Sequence, residues 1–382
     1  MVRVPLSWLG ESVALPAGVT GRQVVTDLSR VGLEEEAVHG GDLTGPLVVG
    51  RVLDFADEPQ RNGKTVRWCQ VDVGAHNPPG EPARGIVCGA HNFSAGDLVV
   101  VALPGSVLPG GFAISARRTY GHVSDGMICS VAELGIGDDR AGILRLGEVG
   151  LGDAEVGADA VALLGLDEET VEVAVTPDRG YALSVRGVAR EYSHATGAVF
   201  TDPADVEAPA ATPDGFPVVL DDRGPLRGRA GCDRFAARVV RGVRATAPSP
   251  AWLRRRLEQA GMRPISLAVD VTNYVMLAVG QPLHAFDLAT LTAPVVVRRA
   301  APGERLTTLD GADRELDPED LVVADSAGGR GARAVALAGV MGGAETEVSA
   351  DTTDLLLEAA HWDPVSISRT ARRHRLGSEA AR

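Results

Sequence analysis

The sequence predicts an α+β protein with several domains. Its 382 residues exceed what one hydrophobic core usually serves, so two or three domains are expected. Hydrophobic residues make up 45% of the chain and aromatic residues only 4%, which indicates cores built from Val, Leu and Ala. The 46 glycines and 23 prolines favour many short strands and turns over long helices.

The first predicted domain is a small α/β unit made of two separate segments. Residues 1–40 hold one short strand and, over 24–33, apolar residues at near-helical spacing. One strand and one helix do not make a core, so a partner is needed. Residues 171–175 alternate as a strand, and 183–195 follow as a helix. We therefore expect 1–40 and 156–200 to form one domain.

The intervening residues 41–155 are predicted to be an inserted β-barrel. Four short β-type segments, at 47–53, 66–73, 85–89 and 98–103, are separated by turn residues. This pattern is typical of a five-stranded barrel of the oligonucleotide-binding (OB) type. Such barrels present a strand face and adjacent loops to single-stranded or folded RNA.

The charge of the chain gives a mixed indication about nucleic acids. A net charge of -14 opposes contact with phosphates over most of the surface. Basic residues nevertheless concentrate at Arg117 and Arg118, at 254–256 and from Arg369 onwards. Such clusters can bind what the average charge repels, although each taken singly is more often a solvated face.

The cysteines and the N-terminus predict a cytoplasmic protein. The four cysteines lie far apart, without the spacing of a zinc site or a disulfide framework. The N-terminus lacks the charged and apolar regions of a signal peptide, and no uncharged apolar stretch has the length of a membrane span. We expect reduced thiols and no bound metal.

The third predicted domain, 214–382, has a mixed α/β pattern and follows a linker rich in Pro, Ala and Asp. Ser249 and Pro250 resemble a helix cap and first helical residue, and Leu253 and Leu257 share a face. The arginines 254–256 are expected on or beside the opposite face. We expect this helix to begin the part of the domain that carries its polar chemistry.

Residues 263–287 combine polar side chains with an apolar run. If buried, Asp270, Thr272, Asn273 and His284 would each need a hydrogen-bond partner, so they either satisfy one another or bind something. A second such feature is Glu358, a lone carboxylate within the apolar strand 355–360.

These motifs resemble the β subunit of bacterial phenylalanyl-tRNA synthetase, in its amino-terminal part. The resemblance includes Thr-Pro-Asp-Arg at 176–179, Val-Cys-Gly-Ala-His-Asn-Phe at 87–93 and Gln-Pro-Leu-His-Ala-Phe-Asp at 281–287. Gly180 and Tyr181 stand where the family commonly has Pro-Asp. The resemblance covers all 382 residues but lacks the family's later domains, so we expect a fragment.

The resemblance implies a tRNA-binding barrel and an editing domain. Such a chain would bind tRNA(Phe) and hydrolyse mischarged tyrosyl-tRNA(Phe). Aminoacylation, which uses ATP and Mg²⁺, would belong to the α subunit in an α2β2 enzyme. We expect this part of the β subunit to bind no cofactor of its own.

The resemblance also assigns roles to residues of this sequence. His284, Thr272 and Asn273 match catalytic positions, and Glu358 matches the residue that recognises the tyrosine hydroxyl. Arg263 would meet a phosphate or a carbonyl. The other residues implied for the substrate pocket are Ala338, Gly339, Gly342, Ser378 and Ala380, and those expected to bind RNA are Arg117, Arg118, Arg254 and Arg255.

Structural alternatives remain open for each of these residues. Glu358 could face solvent at a strand end, and Arg263 could form a surface ion pair. His284, which we expect in a turn leading into a helix, could be a satisfied structural residue. Thr272 and Asn273 could be a hydrogen-bonded pair at a strand edge.

Two other functions compete with editing. The chain could be a non-catalytic RNA-binding or assembly module with a vestigial pocket. A metal-dependent hydrolase using Asp270, His284 and Asp287 is disfavoured, because no second histidine lies at ligand spacing.

Overall fold

The structure is a computed structural model that describes residues 1–60, 63–136, 139–212 and 215–381. The predicted limits of the third domain, at positions 214 and 382, lie outside the described residues. None of the helices in these ranges has the length and apolarity that a bilayer crossing requires.

Short strands dominate the described chain, as its glycine and proline content predicts. The strands are β1 (Val2–Pro5), β2 (Glu35–His39), β3 (Leu47–Pro59), β4 (Thr65–Asp72), β5 (Arg84–Cys88), β6 (Leu98–Ala102), β7 (Val107–Leu108), β8 (Phe112–Ala113), β9 (Arg117–Thr119), β10 (His122–Ser124), β11 (Met127–Ile128), β12 (Thr170–Val173), β13 (Val218–Asp221), β14 (Cys232–Arg241), β15 (Leu283–Asp287), β16 (Val295–Arg299), β17 (Arg305–Thr307), β18 (Asp313–Glu315), β19 (Leu321–Asp325), β20 (Arg333–Leu337), β21 (Met341–Gly342) and β22 (Asp354–Trp362). The helices are α1 (Leu6–Leu9), α2 (Gly21–Ser29), α3 (Ala160–Leu164), α4 (Val185–Thr196), α5 (Ala251–Gln259), α6 (Leu267–Val279) and α7 (Pro364–His374). Short 3-10 segments lie at Gly74–His76, Leu146–Val149, Pro177–Ala182, Leu288–Thr290, Ala344–Thr346 and Glu379–Ala381.

The first sheet joins the two ends of the split segment. Strand β12 lies between β1 and β2, and Val4 is opposite Val171 in an antiparallel pair. Helix α2 begins at a capping box, in which the Thr20 side chain accepts a hydrogen bond from the backbone N–H of Gln23. The chain therefore leaves this sheet after β2 and returns to it in β12. The exact domain limits stay predictions.

The second region is a nearly closed, barrel-like sheet of five strands in the order β11-β6-β3-β4-β5. Each of the four segments predicted as strands overlaps one of them, in order β3, β4, β5 and β6. A bulge between Val52 and Asp54 interrupts the pairing of β3 with β4, which lets the long strand β3 bend. The backbone N–H of Asp125 donates to the carbonyl of Gly85 at 2.9 Å, close to where the barrel would close.

The third region contains a five-stranded sheet, β13-β16-β19-β20-β21, and a three-stranded sheet, β14-β22-β15. Their shared core is apolar, because strands of both sheets direct alternate side chains into it. Its fully or almost fully buried members include Phe286, Val295, Val297, Leu321, Val323 and Leu356. The two sheets therefore pack face to face, with this apolar core between them.

Helices α5 and α6 connect this third region to the first. Tyr274 of α6 stacks on Trp8 with ring centroids 5.0 Å apart, and Leu277 packs against the first core. The other side of α6 contacts β15. Gly280 ends α6 in the left-handed conformation, with φ of 76°.

The predicted cap of α5 is wrong. The Ser249 side chain does not cap the helix, whose N-cap is Pro250. The Ser249 hydroxyl instead donates to the buried carboxylate of Asp270 at 2.5 Å. A hydrogen bond to a charged acceptor is stronger than one to a backbone group, so the tertiary contact replaces the local one.

Candidate functional site

His284, on the edge strand β15, lies directly opposite Glu358 on the central strand β22 of the three-stranded sheet. Strands β15 and β22 pair antiparallel, with His284 across from Glu358 and Phe286 across from Leu356. Directly opposed residues have Cβ atoms about 5 Å apart on the same face of the sheet. The sheet therefore brings together the two residues that the sequence singled out in separate segments.

The face that carries this pair is the one that packs on the second sheet. Successive strand residues alternate between faces, so Glu358 shares a face with Leu356, Ala360 and Trp362. These neighbours belong to, or pack against, the shared core. Glu358 therefore occupies a position that would otherwise suit an apolar residue.

Two glycines at the edge of the five-stranded sheet form the opposite wall. A Cβ on Gly342 would lie 2.5 Å from Cε1 and 2.6 Å from Nε2 of His284, so only glycine lets β21 approach the imidazole. Gly339 has φ of 65°, and a Cβ there would lie 2.8 Å from Cδ1 of Trp362. The backbone of 339–342 thus faces the side chains of β15 and β22.

Burial makes both side chains of the pair uncharged near neutral pH. Glu358 is 7% exposed, and burial raises its pKa to about 8. His284 is half-buried, and loss of hydration lowers its pKa to about 4. Within the part of the chain that the structure describes, neither side chain has a hydrogen-bond partner. A carboxyl group without a partner in an apolar wall is available to a ligand.

The alternative in which Glu358 faces solvent is therefore wrong. The prediction that His284 sits in a turn leading into a helix is wrong as well, because His284 lies inside strand β15. Its alternative as a satisfied structural residue is not found either, since its side chain has no hydrogen-bond partner among the described residues. The pairing of β15 with β22 explains the burial of Glu358 and the extended backbone of His284.

Thr272 and Asn273 lie on helix α6, so the alternative of a strand-edge pair is wrong. The Thr272 side chain is buried, and its hydroxyl donates to the carbonyl of Val269 at 2.8 Å. Asn273 is half-buried. Helix α6 packs against β15, so both residues stand on the element that supports His284.

Arg263 lies in a different place from the pair. It is exposed and lines a cleft of about 430 Å³ together with Ser249, Arg254 and Asp270. His284 and Glu358 are not among the residues that line this cleft. Arg263 forms no ion pair with any described residue, so the surface ion pair is not found either.

The remaining predicted pocket residues occupy the loop after β20 and the C-terminal segment. Ala338 is buried, and its N–H donates to the carbonyl of Leu321 at 3.0 Å. Ser378 donates from its hydroxyl to the carbonyl of Val340 at 2.7 Å, which ties the C-terminal segment to the 339–342 wall. Ala380 is exposed.

The predicted RNA-binding arginines fall into two groups. Arg117 and Arg118 are exposed on strand β9 of the second region. Arg254 and Arg255 line a cavity of 660 Å³ between the three regions, and Arg255 donates to the carbonyl of Leu163 at 3.1 Å. The arginines of α5 are therefore not a simple solvated face.

Arg256 shows most clearly how α5 departs from that expectation. Its guanidinium pairs with Glu11 and lies over the rings of Trp8 and Trp252, 5.1 Å and 5.9 Å from their centroids. It also donates to the hydroxyl of Tyr274 at 3.1 Å. Arg256 therefore joins the third region to the first.

Phe286 and Trp362 also belong to the site, although no sequence pattern had singled them out. The ring of Phe286 meets that of His284 edge-on with centroids 4.4 Å apart, and Trp362 packs against Gly339. Alternation along the two strands is the signal that could have found them. Phe286 is two residues from His284, and Trp362 is four residues from Glu358.

The residues considered for a metal-dependent hydrolase are held apart. Asp270 accepts from Ser249 and from the N–H of Ile265, whereas Asp287 accepts from the Thr352 hydroxyl. Across the described residues, no group of three His, Cys, Asp or Glu side chains has the arrangement of a metal site.

Comparisons with known proteins identify two domain families in the chain. Residues 231–382 match the family described as "B3/4 domain", and residues 47–154 match the family described as "Putative tRNA binding domain". The first match includes the strands that carry His284 and Glu358. The second includes the barrel-like sheet and the β9 arginines.

Whole-chain relatives are phenylalanine--tRNA ligase beta subunits. The protein of that name from Leifsonia xyli subsp. xyli (strain CTCB07) is 59% identical over 100% of this chain and 46% of its own length. Those from Bifidobacterium longum (strain NCC 2705) and Streptomyces avermitilis are 53% and 55% identical, again over 100% of this chain and over 46% and 44% of their own lengths. The chain spans about half the length of the curated relatives it matches.

A solved N-terminal fragment of the phenylalanyl-tRNA synthetase beta-subunit from Pyrococcus horikoshii is a more distant likeness. It is 14% identical, with a TM-score of 0.28, over 55% of this chain and 62% of its own. That score is too low to support any comparison of the folds. The relatives of high identity cover every residue of this chain, and on that basis the chain belongs to the phenylalanine--tRNA ligase beta subunit family.

Proposed function

We propose that this chain is the part of a phenylalanine--tRNA ligase that binds tRNA(Phe) and hydrolyses mischarged tyrosyl-tRNA(Phe). The observation that carries the proposal is the unpartnered carboxyl group of the buried residue Glu358, opposite His284. In the complete enzyme, an α subunit would carry aminoacylation with ATP and Mg²⁺ in an α2β2 assembly. The cytoplasm is the compartment that this role requires.

Glu358 supplies the recognition. An apolar pocket that accepts phenylalanine cannot strongly reject a ring that merely adds a hydroxyl, so a synthetase needs a second site that selects tyrosine. A phenolic hydroxyl entering beside Glu358 would provide the hydrogen bond that the carboxyl group lacks. A phenylalanyl ring would leave it unpaired, at a difference of roughly 1–3 kcal/mol.

His284 supplies a polar group beside the ester. A pKa of about 4 keeps its imidazole neutral at physiological pH, so one ring nitrogen accepts and the other donates a hydrogen bond. Such a group can orient an attacking water, and we propose that positioning contributes more than strong base catalysis.

The other predicted residues surround this centre in the proposal. Thr272 and Asn273 on α6 would hold the terminal ribose or a water, and Arg263 would meet a phosphate further along the acceptor end. The remaining wall of the substrate pocket would consist of Ala338, Gly339, Gly342, Ser378 and Ala380. RNA contacts would come from Arg117, Arg118, Arg254 and Arg255.

Single-turnover deacylation of tyrosyl-tRNA(Phe) and phenylalanyl-tRNA(Phe), measured in the complete enzyme, tests the proposal. Glu358→Ala should bring the two rates toward equality. His284→Ala should slow both while leaving their ratio nearly unchanged, because it removes chemistry and not recognition. A Glu358→Ala enzyme that keeps full preference for the tyrosyl ester would refute the assignment.

A non-catalytic RNA-binding or assembly module is the second candidate. It is favoured by the hydroxyl of Thr272, which is already satisfied by its own helix. The same deacylation assay separates the two candidates. A wild-type enzyme that hydrolyses neither ester above the background rate would support the module.

A further inference from the structure

The longest stretch without acidic residues in this chain ends in an exposed hairpin on the barrel. No Asp or Glu occurs at 98–124, although the chain contains 51 of them. Strands β9 and β10 pair at the end of this stretch, with Arg118 opposite Val123. The carboxylates that contact or directly follow the hairpin, Glu58 and Asp125, pair with His122 and Arg84, so its basic side chains can act on an anion in spite of the net charge of -14.

The side chains of two arginines of this hairpin are free of internal partners. Arg117 and Arg118 are exposed, and neither guanidinium forms an ion pair or hydrogen bond with another described residue. Neighbouring strand residues point to opposite faces, so each face of the hairpin presents one guanidinium. In contrast, Arg256 and Arg373 are occupied by Glu11 and Asp320.

The tip of the hairpin holds an aromatic residue in an unfavourable backbone conformation. Tyr120 and Gly121 form a two-residue turn in which both φ values are positive, 49° and 87°. Such a turn favours Asn-Gly, and a bulky residue at its first position is an outlier. The Tyr120 side chain is 44% exposed. A strained, exposed aromatic residue indicates a functional requirement at this position.

The base of the hairpin is held rigidly. The ring of His122 stacks on Trp68 with centroids 4.1 Å apart, and its Nε2 lies 2.9 Å from a carboxylate oxygen of Glu58. The hydroxyl of Ser124 accepts a hydrogen bond from the N–H of Val87 at 3.0 Å. The tip therefore projects from an ordered base, which reduces the entropy lost on binding.

We propose that this hairpin binds RNA with unpaired bases. The ring of Tyr120 stacks on a base, while Arg117 and Arg118 contact the phosphates on either side of it. Every base offers a planar face to an aromatic ring, and an acidic protein surface does not. The inference rests on the tRNA binding proposed above and names the surface and the kind of nucleotide it takes.

Fluorescence anisotropy of the 382-residue chain with a labelled single-stranded RNA, and with the duplex of the same sequence, tests the inference. Tyr120→Asn suits the turn and should preserve or raise the melting temperature. It should weaken binding of the single strand by roughly 5- to 100-fold, the loss of one stacked base, and change duplex binding little. Tyr120→Phe retains the ring and should bind as the wild type does.

Salt titration tests the arginines separately. Arg117→Gln and Arg118→Gln should each reduce the slope of log affinity against log salt by about 0.7 for single-stranded RNA. Arg330→Gln, at another exposed arginine, is the matched control and should leave the slope unchanged.

Three results would overturn the inference. They are an unchanged affinity of Tyr120→Asn for the single strand, an equal loss for single strand and duplex, and binding of poly-glutamate as tight as that of RNA. If the Glu358 and His284 variants alter deacylation as proposed while these hairpin results are negative, the hairpin inference fails and the editing function stands.

Discussion

Asp320 and Glu358 are both buried carboxylic acids of the third region, yet their surroundings are opposite. Asp320 is 0% exposed and accepts a hydrogen bond from the Thr370 hydroxyl at 2.9 Å. It also pairs with His374 at 2.7 Å and with Arg373. Glu358 has no such partner among the described residues.

Both groups are buried, but their pKa values shift in opposite directions because only Asp320 has hydrogen-bond partners. Burial alone would raise the pKa of Asp320, but hydrogen bonds from His374, Asp317 and Thr370 hold it below its usual value. Burial without partners raises the pKa of Glu358 to about 8. Asp320 therefore anchors helix α7 to the sheet, whereas Glu358 retains its capacity for a ligand.

The largest effect is expected from Asp320→Asn. Loss of the charge leaves Arg373 and His374 without their main acceptor, so we expect a loss of roughly 2–4 kcal/mol in the free energy of unfolding. Urea denaturation at pH 7 measures it. Glu319→Gln, at a half-buried partner of Arg373, is the control and should change stability by about 0.5 kcal/mol or less. Equal losses in both variants would contradict the role of Asp320.

Glu358→Gln should change how the free energy of unfolding depends on pH. The ordinary pKa of the group is 4.5 and the folded value is about 8, so the folded state holds more protons in between. Stability should therefore fall as pH rises through this window, by roughly 2 kcal/mol between pH 6.5 and 8. Glu358→Gln should abolish that fall. Identical profiles for variant and wild type would show that the carboxyl group has an ordinary pKa.

His284 should contribute a slope of the opposite sign at lower pH. Its ordinary pKa is 6.5 and its folded value about 4, so the unfolded state binds more protons and stability rises with pH between them. The Glu358→Gln background isolates this slope. In that background, His284→Gln should remove a rise of roughly 1–2 kcal/mol in the free energy of unfolding between the two pKa values. This figure is reduced from the full shift because His284 is partly exposed to solvent. Persistence of the rise would assign it to another group.

Thr370→Val sharpens the comparison by removing a single donor from Asp320. We expect a loss of about 1 kcal/mol, the usual value of one hydrogen bond in a buried network. Thermal unfolding provides the measurement. Because Asp320 keeps its other partners, a loss as large as that of Asp320→Asn would mean that the threonine supports packing instead.

Much of the architecture follows from local patterns. The β-type segments predicted at 47–53 and 98–103 correspond to strands β3 and β6, and the helix predicted at 183–195 corresponds to α4, Val185–Thr196. The segment around Thr272 was harder, because an apolar run of this length suits a strand or a buried helix equally. In the structure this segment is helix α6, and the helix is stabilised by its contacts with the first core and with β15.

The sequence by itself determined which side chains carry unusual chemistry here: His284 within an apolar motif, Glu358 within an apolar strand, and Arg117 and Arg118 within an acid-free stretch. Only the tertiary structure decided which of them are left without partners. Strand register places His284 opposite Glu358, and the approach of Gly342 closes the site. Hydrogen-bond satisfaction depends on residues distant in sequence, so local patterns name the polar groups but cannot say whether the fold already satisfies them.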